Sequence, residues 1–121
     1  MKKFILKEKS FNFALRVIKL SQYLQEEKKE FVLSKQILKS DTSIGANIRE
    51  YQNAESRADF IHKLSIAQKE CDESLYWIEL LKEADFLSEN AFYSIHQDAS
   101  ELLKMIRSSI ITSKKNNQNH S

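Results

Sequence analysis

The stretch RADFIHKLSIAQKECDESLYWIELLKE, residues 57–83, decides the fold. Phe60, Leu64, Ala67, Cys71, Ser74, Ile78 and Leu81 recur at alternating steps of four and three. Such steps return to one face of an α-helix and here form a sustained a/d seam. No glycine or proline interrupts it. The whole chain of 121 residues holds one glycine, Gly45, and no proline. Sheets and tight hairpins need turn residues that this chain lacks. An all-α fold follows.

Two helices are predicted before this seam and one after it. The first runs from about Ser10 to Gln25, with Phe11, Leu15, Ile18 and Gln22 in one row and Phe13, Val17, Leu20 and Leu24 in another. Together the rows make a face broad enough to touch two neighbours. The second runs from Phe31 or Leu33 to Tyr51, with the stripe Leu33, Ile37, Ser40, Ile44, Ile48 and Tyr51. The fourth runs from Glu89 to Thr112, with Phe92, Ile95, Ala99, Leu102 and Ile106 on one face. Ser56, with Asp59 three residues on, reads as the N-cap of the third helix, and Ser88 as that of the fourth. Short connections favour antiparallel neighbours, so residues 1–112 read as one up-down-up-down four-helix bundle. Residues 113–121, SKKNNQNHS, read as a polar tail and are expected to be disordered.

A domain of this length can bury a core without disulfides or metals. Cys71 stands alone, which excludes a disulfide framework and paired zinc motifs. The apolar run after Lys2 and Lys3 is too short for a signal-peptide core. No run approaches the ~18 apolar residues of a membrane span. A cytoplasmic protein with no membrane association is expected.

The net charge is +2, unevenly spread. Residues 1–39 carry 10 Lys/Arg and 4 Asp/Glu, residues 40–101 carry 5 and 13, and residues 102–121 carry 4 and none. Basic ends around an acidic middle suit contact with RNA or DNA. They equally suit attraction to the acidic middle of the same or a neighbouring chain, and net charge alone is a weak nucleic-acid signal. The candidate nucleic-acid contacts are Lys2, Lys3, Lys7, Lys9, Arg16 and Lys19 near the first helix, and Lys104, Arg107, Lys114 and Lys115 near the last. These two groups are expected at opposite ends of the bundle.

Gly45 lies inside the second helix, where glycine costs about 1 kcal/mol relative to alanine. Ser40, Ser43, Asn47, Glu50 and Ala54 form a polar, small-residue row beside the apolar stripe. One reading packs this row tightly on a neighbouring helix at Gly45. Ser43, Asn47 and Glu50 then fix the register, with Ser65, Lys69, Glu70 and Glu73 as their candidate partners. The other reading is an exposed polar face.

Catalysis finds little support. His62, His96 and His120 are far apart, no H-E-x-x-H or Glu-x-x-His spacing occurs, and one glycine cannot build a phosphate loop. Glu70 and Glu73 read as a solvated or salt-bridged face, and Cys71 as a small core residue. No cofactor or metal is expected. Tyr76 and Trp77 are large, and Trp77 lies off the seam set by Ser74 and Ile78. With Phe13 and Val17 they are the candidate oligomer interface.

Ser43, Ile44, Asn47, Ile48 and Glu50, followed by Phe60, Leu64–Ala67, Glu70, Glu73, Tyr76, Trp77 and Glu79, resemble the 23S ribosomal RNA intervening-sequence family. The resemblance covers residues 11–112 in architecture and about 40–81 in motif. The chain departs from the family pattern at Lys39-Ser40-Asp41 and at Glu50-Tyr51, and Asp41 argues against a phosphate grip at that point of the helix. The resemblance implies an up-down bundle assembling into a ring-like homo-oligomer, a pentamer. It also implies kinship with the accessory proteins of diversity-generating retroelements, which form similar barrels, bind nucleic acid and associate with a reverse transcriptase. Two functions are therefore carried forward: a nucleic-acid-binding ring, and a protein-interaction scaffold that binds no nucleic acid.

Overall fold

The computed structural model describes the backbone of residues 2–51 and 53–119, and the side chains of residues 5–50 and 53–116. Four helices follow one another: α1 (Lys2–Glu26), α2 (Leu33–Tyr51), α3 (Arg57–Glu83) and α4 (Glu89–Asn119). There is no strand among the described residues. Each helix packs on the next, and α1 closes the square on α4. Cross-links at Lys9–Glu101 and Arg16–Asp98, and at Glu50–Lys63, show α1 antiparallel to α4 and α2 antiparallel to α3.

The predicted seam of α3 is the wall of the core. Leu64, Ala67, Cys71, Ser74, Ile78 and Leu81 are all fully buried, and Phe60 is half-buried against them. Ile37, Ile44 and Ile48 of α2 face them, as do Ile95, Ala99, Leu102 and Ile106 of α4. The side chain of Tyr51 lies outside the described residues.

Two boundaries differ from the sequence expectation. Helix α1 begins at Lys2, because KKFILKEK contains no breaker and Leu6 and Ser10 continue the buried row of Phe13 and Val17 at helical steps. Helix α4 passes Thr112 and continues to Asn119, so the expected tail is helical over residues 113–119. Ser113 is buried on the row of Ile106 and Ile110, and no glycine or proline follows to stop the helix. Residues 120 and 121 lie outside the described residues.

The turns use side chains where glycine is missing. Ser56 caps α3, its Oγ accepting the Asp59 N–H at 3.1 Å, and Ser88 caps α4 by accepting the Ala91 N–H at 3.2 Å. Ahead of α2 the carboxylate of Glu30 accepts the N–H groups of Val32, Leu33 and Ser34 at 2.7–3.1 Å. A carboxylate there satisfies orphan donors and favours the positive end of the helix dipole. The left-handed turn positions fall on Lys29 (φ 54°) and Asp85 (φ 66°).

Candidate nucleic-acid and assembly surfaces

An even number of antiparallel helices returns the chain to its starting level. The start of α1 and the end of α4 therefore share one end of the bundle, not opposite ends as expected from the sequence. The end of α2 and the start of α3 lie there too. Residues 2–12, 43–67 and 101–119, which make up this end, carry 11 Lys/Arg and 5 Asp/Glu. The remainder carries 8 and 12. Charge that alternates along the sequence is thus sorted along the bundle axis.

Not every candidate cation is free. Lys9 pairs with Glu101 at 3.1 Å. The Arg16 guanidinium donates to Asp98 and to the Ser94 hydroxyl and carbonyl. These two bind the acidic middle of their own chain and serve the α1–α4 contact. Lys19 lies beside Arg16 in a separate recess against the α3–α4 turn, away from the basic end. Lys7, Lys104, Arg107, Lys114 and Lys115 make no ion pair among the described residues, and neither does Arg49, which the sequence reading did not select. The side chains of Lys2 and Lys3 lie outside the described residues.

Gly45 does not touch a neighbouring helix of its own chain. A Cβ added there meets nothing within 4 Å. It lies instead on an open groove between α1 and α2, about 580 Å³ in volume, whose walls are Lys7, Glu8, Ser10, Phe11 and Ala14 on one side and Thr42, Ala46 and Arg49 on the other. The expected register lock is also smaller than anticipated. Asn47 Nδ2 donates to the Ser43 carbonyl at 2.8 Å and its hydroxyl at 3.3 Å, so it is satisfied within α2. Glu50 does reach α3, but its partner is Lys63, at 3.0 Å. Glu70 is not part of that link. Burial, and then the carboxylate of Glu73, pushes its carboxyl above the ordinary value.

The interface candidates divide. Phe13 is 3% exposed and Val17 is 0%, so both belong to the bundle core and are not available to a second copy. Helix α1 is apolar on two sides, and the outward side is the other row: Phe11 is 54% exposed, Leu15 45% and Ile18 38%. Periodicity showed both rows but could not say which one the other helices would cover. Tyr76 is exposed on α3, edge-on to half-buried Trp77 with ring centroids 5.2 Å apart. Tyr93 of α4 is exposed as well. The Trp77 Nε1–H is buried without an acceptor among the described residues.

The sequence reading missed Asp41 as a core residue. It is fully buried in α2, and neither carboxylate oxygen has a hydrogen-bond partner among the described residues. Burial pushes its carboxyl up to about 7. The signal was present, since Asp41 sits four residues after Ile37, three before Ile44 and seven before Ile48. Cys71 is enclosed nearby, its Sγ donating to the Ala99 carbonyl at 3.5 Å, and burial followed by the Asp41 charge pushes its thiol up to about 12.

Among the described residues no three His, Cys, Asp or Glu side chains are placed to hold a metal ion. No helix among them is long and apolar enough to cross a membrane. His96 meets Glu79 at 3.1 Å on the α3–α4 surface, and His62 is exposed with no such partner among the described residues.

The family model described as 23S rRNA-intervening sequence protein matches residues 2–108. No curated protein matches. Among solved structures, a protein of unknown function from the S23 ribosomal protein family of Bacteroides thetaiotaomicron is 51% identical. The match covers 91% of this chain and 98% of that one, with a TM-score of 0.89. The motif on α2 and α3, the four-helix square and these two matches agree: the chain belongs to the 23S rRNA-intervening sequence protein family.

Proposed function

We propose that this protein is a non-enzymatic, cytoplasmic, ring-forming homo-oligomer, a pentamer, that binds nucleic acid without sequence preference through the basic end of each subunit. The observation that carries the reading is the gathering at one end of the bundle of Lys104, Arg107, Lys114, Lys115, Lys7 and Arg49, none of them ion-paired among the described residues. A ring repeats that end in every copy, so weak phosphate contacts add by avidity. Assembly is supported by Leu15 and Ile18 on the outward row of α1 and by Tyr76 on α3, which lies diagonally across the bundle. Two different patches on opposite sides suit a head-to-tail contact, which closes into a ring, better than a two-fold dimer.

Light-scattering mass on a sizing column tests the assembly, and retention of RNA and DNA across a salt series tests the binding. The expected result is a pentamer mass with affinity falling steeply as salt rises. A monomer overturns the ring. A pentamer that binds neither RNA nor DNA at low salt leaves the second reading, a protein-interaction scaffold. That reading is favoured by the exposed rings of Tyr76 and Tyr93 on the more acidic half.

A further inference from the structure

The groove between α1 and α2 opens at the basic end, and its chemistry is specific. Its rim carries Lys7 and Arg49, neither paired among the described residues, against the single carboxylate of Glu8. Phe11 offers a wall with about half its surface open. Between them Ala14, Gly45 and Ala46 project nothing beyond a Cβ. The hydroxyl of Thr42 is turned back to the Leu38 carbonyl at 2.9 Å and does not obstruct the space. The volume, about 580 Å³, suits a small planar group and not a duplex.

We propose that this groove is a slot for single-stranded nucleic acid, in which one unstacked base lies on Phe11 and its flanking phosphates meet Lys7 and Arg49. The proposal rests on the nucleic-acid reading above and adds strand class and site to it. Bases in a duplex present only their edges, so a free aromatic face in a narrow recess is useful only to a base that has left the stack. Stacking is indifferent to base identity, which fits binding without sequence preference. A helix from a second copy is the competing occupant. The two unpaired cations at the rim, on an end already rich in positive charge, favour a polyanion instead.

The test compares fluorescence anisotropy of a labelled single strand of about 20 thymidines with a labelled duplex of the same length. Wild type, Phe11→Ala and Gly45→Leu are measured, each with its light-scattering mass and melting curve. Both variants are expected to keep the wild-type mass, to bind the single strand about tenfold more weakly, and to bind the duplex as before. Lys7→Gln is expected to lower the salt dependence for the single strand by about one phosphate contact. If wild type binds duplex but the variants lose no single-strand affinity, the slot is wrong and the general reading stands. If either variant changes the mass, the groove is a contact between copies and the proposal is overturned. If wild type binds no nucleic acid at low salt, both readings fall together.

Discussion

Asp41 of α2 and Cys71 of α3 are enclosed in the same interior, close enough that the carboxylate raises the thiol across the helix–helix contact. Neither is supported by a salt bridge among the described residues. The Asp41 carboxylate has no hydrogen-bond partner among the described residues, and its burial makes the bundle sensitive to pH.

In the unfolded chain Asp41 releases its proton near pH 3.8, and in the bundle near 7. Below pH 3.8 both states hold the proton and the titration of the group contributes nothing. As pH rises the unfolded state ionises first, and above about 7 the full difference, about 4 kcal/mol, counts against folding. Chemical denaturation from pH 4.5 to 8.5 should show wild type losing several kcal/mol relative to Asp41→Asn, which keeps a buried polar group without its titration. Parallel pH profiles for the two proteins would refute the buried placement of Asp41.

Cys71 should be inert in the native protein. A thiol with its pKa pushed up to about 12 has almost no thiolate at pH 8, and its Sγ is buried against Ala99. A chromogenic disulfide reagent should label it only after denaturant is added. Rapid labelling of the folded protein would mean that α3 and α4 separate readily at this level.

Gly45→Ala should stabilise the protein. The glycine has no positive φ, and the added methyl meets nothing. Only the helix propensity changes, worth about 1 kcal/mol, or roughly 4 °C in melting temperature. A lower melting temperature would show that a second copy packs closely on this surface.

Arg16 and Asp98 tie α1 to α4, but both side chains are about 40% exposed, so solvent screens them. A double-mutant cycle of Arg16→Ala and Asp98→Ala should give a coupling of about 0.5–1 kcal/mol that shrinks at high salt. A coupling above about 2 kcal/mol would mean that the pair is buried in an assembly.

Much of the fold was legible because it depends on local rules. The seam from Leu64 to Leu81, the stripe of Ile37, Ile44 and Ile48, and the caps Ser56 and Ser88 each follow from spacing within one segment. What was not legible depends on how segments meet. Phe11 and Phe13 differ by two positions and by nothing in hydropathy, yet one is open and the other is core. Lys7 and Lys9 look alike until Glu101 takes one of them. Asp41 was not placed in the core, where charged residues are almost never fully buried without a partner, although its spacing from Ile37 and Ile44 put it inside. The groove at Gly45 is lined by two helices at once, which no single periodicity records.

The sorting of charge along the bundle has a further consequence. Antiparallel neighbours largely cancel their helix dipoles, so the molecule's electric moment comes from its side chains and points along the long axis. In the field of a polyanion such a rod feels a torque before it makes any contact. It turns its α1-start, α4-end cap toward the charge and arrives end-on, already oriented. Exchanging a single lysine for glutamate at that cap would tilt the approach without touching the fold.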